Sequence, residues 1–184
     1  MSRSNFSLMK QRINEMFGVK EPFWKRRSVK EVTLRARDID YLRAEVFLED
    51  IVSVAGDDSI YLTIPELVCL LYEDFLFEIR NSFDVESIII NLSNKRLEHF
   101  RKVDSNNIKL RCKWVSYSIS MKRPLALRGE VFLHDLAMSS GEFEMSLDEL
   151  LSILFMDFMA EVRKGNQRGL IKKIISRMES WSFN

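Results

Sequence analysis

The chain has 184 residues, 46% of them hydrophobic and 30% charged, with a formal net charge of +1. That balance belongs to a globular domain with a sizeable core and excludes a disordered or fibrous chain. No apolar run approaches the roughly 18 residues of a bilayer span, Met1-Ser-Arg-Ser-Asn5 lacks the apolar core of a signal peptide, and the two cysteines stand in no CxxC spacing, so a cytoplasmic protein without a transmembrane segment is expected.

Charge is unevenly spread along the chain. Residues 1–30 hold eight Lys or Arg against two Glu, and residues 164–184 hold five against one, so basic ends flank an acidic body. In the N-terminal segment, 1–27, Lys10 to Gly18 reads as a short amphipathic basic helix. Trp24, Lys25, Arg26 and Arg27 follow, an aromatic–cation cluster that either lays Phe23 and Trp24 into the core and leaves the three cations solvated, which is the favoured reading, or grips phosphates while stacking a base.

The central observation is a repeat. Arg43-Ala-Glu-Val-Phe-Leu-Glu-Asp-Ile51 returns as Arg128-Gly-Glu-Val-Phe-Leu-His-Asp-Leu136. Over 43–82 against 128–165, 14 of 38 aligned pairs are identical, where unrelated sequences give roughly 2. An internal duplication is the reading, with a first unit at 28–92, a loop at 93–107, a second unit at 108–165 and a C-terminal basic helix at 166–184, all in one compact body.

Each unit opens on strand-like alternation. Val32, Leu34 and Ala36 oppose Thr33, Arg35 and Arg37; Val115, Tyr117, Ile119 and Met121 oppose Ser116, Ser118 and Ser120. The repeated Val-Phe-Leu triplets, at 46–48 and 131–133, suggest a second, centrally placed strand, and short third strands are expected at 60–62 and 142–145. Thr63 with Glu66, and Ser146 with Glu149, have capping-box spacing and predict two long, largely apolar helices. Glu86–Leu92 reads as an edge or linking strand. After Gly165, a last helix carries Leu170, Ile171, Ile174, Ile175, Met178 and Trp181 on one side and Lys172, Lys173 and Arg177 on the other. The fold class expected is α+β, built from duplicated β-β-(β)-α units with antiparallel strands, the two long helices related by a pseudo-two-fold axis and the N- and C-terminal amphipathic basic helices added.

Chemistry is sparse. No GxxxxGK[ST], GxGxxG, GxSxG or HExxH pattern occurs, and there are two histidines, His99 and His134, the latter standing where the first copy has Glu49. The repeated acids Asp50, Asp74 and Glu78, with Asp135, Asp157 and Glu161, are the metal candidates, because a one-turn Asp/Glu pair can offer oxygens to Mg²⁺ or Mn²⁺. Their competing role is helix solvation. The function expected is a non-enzymatic protein-interaction module, an adaptor or assembly subunit without a cofactor, whose partner is another protein or a further copy of itself. The alternatives are nucleic-acid binding through Trp24, Lys25, Arg26, Arg27, Lys172, Lys173 and Arg177, and a divalent-metal enzyme.

Overall fold

A computed structural model describes residues 28–56, 61–81, 84–100, 112–165 and 167–182. The elements run β1 (Val29–Arg37), α1 (Asp38–Ala55), α2 (Ile64–Asn81), α3 (Val85–Phe100), β2 (Trp114–Lys122), α4 (Arg123–Ser140), α5 (Leu147–Arg163) and α6 (Gln167–Ser182). Among the described residues the fold is therefore α+β, six helices against one two-stranded antiparallel sheet. Strand, helix, helix, helix is its order, met twice. None of the helices is long and apolar enough to cross a membrane. The expected N-terminal basic helix lies outside the described residues.

The two strands predicted from alternation are the two strands observed. They pair with Thr33 opposite Ser118 at the centre, Val29 opposite Lys122 at one end and Arg37 opposite Trp114 at the other. Each end is tied by one further bond: Asp38 N donates to Lys113 O (2.9 Å), and Arg123 N donates to Ser28 O (3.0 Å). Val32, Leu34, Ala36, Ile119 and Met121 are buried as the alternation predicts, and Thr33, Arg35 and the serines face out. Val115 and Tyr117 depart from the pattern and are exposed. Helical cover is heavier on β1, where α5 lies, than on β2, where α2 lies.

Several expectations are corrected. The repeated R-x-E-V-F-L-x-D segments are helical, inside α1 and α4, not second strands. Val-Phe-Leu is a β-favouring triplet in isolation. Its burial, however, follows helical spacing: Ala44, Phe47 and Ile51 point inward on α1, and Leu133 and Leu136 on α4, while Val46 and Val131 point out. Gly56 and Gly141 accordingly end helices. At φ 64° and 65°, left-handed conformations that glycine adopts without strain, their amides close onto Val52 O and Ala137 O.

The third strands are absent where described: 61–62 and 142–145 are irregular. Glu86–Leu92 and the first part of the expected 93–107 loop form α3, which runs to Phe100. Two things hold this helix despite its β-branched Ile88-Ile89-Ile90. Asp84 caps it, its carboxylate accepting from Ser87 Oγ at 2.5 Å. Along its length, Leu92 and His99 are buried, and Lys95 and Arg96 reach acids on α5.

The first capping box is in place, and the second keeps its serine cap while the Glu149 carboxylate turns to Arg96. Thr63 N donates to Glu66 Oε2 (2.8 Å) and Glu66 N to Thr63 Oγ1 (3.4 Å); in the second copy Glu149 N donates to Ser146 Oγ (3.2 Å). From these caps run the two helices expected to be long and apolar, and they differ. Helix α5 buries nine residues, from Leu147 to Val162, and forms the centre of the core. In α2 the buried set is Leu67, Val68, Leu70 and Tyr72, and its last turns expose Phe77, Glu78 and Arg80. Helix α5 also closes the free edge of β1: Ser152 Oγ accepts from Arg35 N at 2.9 Å.

Candidate interaction surface

Helix α1 turns Ala44, Phe47 and Ile51 into the core, which leaves the opposite side of the helix to solvent. On that side stand Ile39, Leu42 and Val46, with Leu42 and Val46 more than half exposed at 57% and 55%. Positions 39, 42 and 46 follow i, i+3, i+7 spacing, so the three form one stripe. Helix α4 repeats the arrangement. Pro124, Leu127, Val131 and Met138 are exposed on it, and Leu127 and Val131 are the counterparts of Leu42 and Val46 in the repeat. Solvent-facing Leu and Val at the same positions of both copies are not required by either core.

The polar residues beside the two stripes differ in sign. On α1 the exposed neighbours are Glu45 and Glu49. Arg43, which could offset them, is tied to Asp40 at 2.6 Å. On α4 the exposed neighbours are Arg128 and His134, while Glu130, the counterpart of Glu45, is drawn into an ion pair with Lys30. The α1 stripe is thus flanked by two acids and the α4 stripe by one cation, Arg128, with the His134 imidazole and the exposed Asp135 beside it.

Comparison of the chain with protein-family models, curated proteins and solved structures finds no match.

Of the residues predicted to contact a partner or nucleic acid, Trp24, Lys25, Arg26 and Arg27 lie outside the described residues. Lys172, Lys173 and Arg177 lie on α6, and two of them turn inward to the protein's own acid. Arg177 Nε donates to Asp74 Oδ1 at 2.6 Å, Lys173 Nζ stands 3.7 Å from Oδ2, and the Arg177 guanidinium lies over Phe77 at 5.9 Å. Lys172 is exposed.

Asp157, another of the carboxylates proposed as metal ligands, serves the same purpose in the other half. Asp157 on α5 meets Lys95 Nζ at 2.6 Å and His99 Nε2 at 3.5 Å, both from α3. The neighbouring imidazole and ammonium hold its carboxyl down at about 2, against the opposing effect of partial burial. Glu161 is paired with Lys164 at 2.6 Å, and Asp135 stands 3.7 Å from His134 Nδ1. Asp50 and Glu78 sit on α1 and α2, with Glu78 engaged in further contacts. Among the described residues no three His, Cys, Asp or Glu side chains group as a metal site. Cys69 and Cys112 are both free; burial pushes the Cys69 thiol upward, whereas Cys112, between Arg111 and Lys113 in the sequence, is exposed.

Sequence reasoning missed the stripes because it assigned Val46 and Val131 to strands and so to the core. One signal was available. Leu42 and Val46 are four apart and identical or conservative in both copies, which in a helix puts them on one face.

Proposed function

We propose that this chain is a non-enzymatic protein-interaction module, the subunit of an assembly, and that its contact surfaces are the outward faces of α1 and α4. One observation carries the reading: both copies expose the same Leu-x-x-x-Val pair, Leu42/Val46 and Leu127/Val131, on the side of the helix that the core does not use. The duplication belongs to the same proposal. Its support is that Thr33 and Ser118, aligned residues of the two copies, pair at the centre of the sheet, and that the two bonds closing the sheet's ends, Asp38 to Lys113 and Arg123 to Ser28, exchange with each other when the copies are swapped. An approximate two-fold axis through the Thr33–Ser118 pair accounts for both.

The occupant that fits these faces is another copy of the chain, α1 of one molecule against α4 of the next. Glu45 and Glu49 would then meet Arg128 and His134, and the apolar stripes would cover each other. The α1 stripe, from Ile39 to Val46, runs about 10 Å along its helix and the α4 stripe, from Pro124 to Met138, about 20 Å, which gives a contact at the small end of specific interfaces and an affinity expected near the micromolar range. Because the two faces are different, the contact is head-to-tail, and it builds rings or open chains rather than closed dimers.

Sedimentation across protein concentration tests this. Expected is concentration-dependent association beyond a dimer, abolished by Leu42→Glu with Val46→Glu and weakened at least tenfold by Arg128→Glu. Combining Arg128→Glu with Glu49→Arg should recover part of the loss. A chain that stays monomeric at hundreds of micromolar, or associates equally well with both stripes charged, removes the proposal.

A further inference from the structure

A second feature is independent of the stripes. Where β1 hands over to α1, beside the ends of α3 and α5, lies a cleft of about 220 Å³. Arg37, Arg43 and Arg163 line it, with Met156 and Ala160 as its apolar part and Asp40, Glu98 and His99 completing the wall. Asp40 is committed to Arg43 (2.6 Å), and the His99 imidazole faces Asp157 rather than a carboxylate of the cleft. Among the described residues that line the cleft, the exposed Glu98 is the remaining carboxylate facing Arg37 and Arg163. On the adjoining surface, the Trp114 ring lies 6.0 Å from the Arg37 guanidinium and 5.3 Å from that of Arg35, and it stacks on Phe100 at 5.4 Å.

The repeat shows what makes the space. In the alignment of the two copies, Arg163 matches Arg80, Arg43 matches Arg128 and Arg37 matches Lys122, so the cations occur twice. Ala160, however, matches Phe77, whose ring packs under Arg177 in the other half. The cations are retained, while Ala160 stands for Phe77, Met156 for Glu73 and Asp40 for Leu125, and the first of these exchanges removes the most bulk. An alanine where the sister helix carries phenylalanine opens a pocket among arginines, and arginine is the residue whose planar fork suits phosphoryl oxygens.

We infer that this cleft is a binding site for a phosphoryl group, held between Arg37 and Arg163 with Arg43 behind. Its volume is below that of drug-sized pockets, which begin near 300 Å³, and suits a compact anion such as pyrophosphate or the diphosphate of a nucleotide. In the nucleotide case the base would lie toward Trp114.

Calorimetric titration of the full-length chain at low salt with pyrophosphate and with ADP tests the site. Expected is saturable binding that weakens as salt rises. Ala160→Phe, which installs the sister residue without altering charge, should weaken binding at least tenfold, as should Arg163→Ala. Arg80→Ala, the matched cation of the other half, should leave it unchanged, with circular dichroism showing all three variants folded. ADP binding more tightly than pyrophosphate identifies a nucleotide as the source, and equal binding identifies a free phosphate; both support the site. Absence of heat with millimolar ligand, unchanged binding in folded Ala160→Phe, or an equal loss in Arg80→Ala overturns it.

Discussion

Gly129 shows how closely the two halves are fitted at the level of single side chains. It sits buried in the middle of α4, where alanine would ordinarily favour the helix by about 1 kcal/mol. A Cβ there would lie 1.9 Å from Tyr72 Oη and 2.9 Å from its Cζ. That hydroxyl is wholly buried, donates to Leu125 O at 3.2 Å, and is kept neutral by burial that pushes its pKa up to about 12. In the aligned copy the same two positions are Ala44 and Phe155: the methyl appears where the hydroxyl is missing. Gly129→Ala should therefore destabilise the protein, by about 1–2 kcal/mol once overpacking is set against the helix gain. Adding Tyr72→Phe should recover part of that loss, because it restores the pairing of the other half at the cost of one hydrogen bond. Denaturant titration of the two single variants and the double one reads the coupling. Strict additivity would show that the two positions do not share the space.

At the level of elements, what was legible in the sequence is what local chemistry alone decides. The alternating serines of 116–120 and the S/T-x-x-E boxes need no tertiary information, and both strands and both caps are found where those patterns put them. The Val-Phe-Leu segments were not legible, because their β propensity is overridden by burial of Phe47, Ile51, Leu133 and Leu136 against partners distant in sequence. Helix α3 was hidden for a related reason. Its polar half, which reads as a loop, is held by α5 through Lys95, Arg96 and His99. The candidate surface followed the same fate as the segments that carry it, since a strand assignment sends Val46 inward. The α3–α5 contact also predicts an acid response. Asp157 is depressed to about 2 in the folded chain, below an unfolded value near 3.9, so its contribution is fully present above pH 4 and is lost as pH falls toward 2. With its side chain 34% exposed, solvent screening leaves about 1 kcal/mol. Asp157→Asn should lower stability by about that amount at neutral pH and flatten the decline between pH 4 and pH 2 in urea titrations. A variant whose acid limb parallels that of the parent would place the sensitivity elsewhere.

Across the whole molecule the halves are interlocked rather than adjacent. Helix α5 of the second half covers β1 of the first, α2 of the first touches β2 of the second, and α2 and α5 pack together. Each third helix also crosses over: α3 sends Lys95 and His99 to Asp157 on α5, and α6 sends Lys173 and Arg177 to Asp74 on α2, in both cases a pair four residues apart on the helix. Asp74 and Asp157 are aligned positions of the repeat, so the acids that the sequence offers as metal ligands act as the two anchors of this crossover. A single half is consequently left with a strand lacking its partner, an edge without Ser152 to accept from Arg35 N, and an uncovered apolar face. Stability does not divide between the halves. Residues 28–100 and 112–184, produced separately, should each lack a cooperative thermal transition and near-ultraviolet circular dichroism, and mixing them should restore both through the 1:1 complex. Cooperative unfolding of 28–100 as a lone monomer would mean that the first half carries its own core, contrary to the crossed packing of β1, α5 and α3.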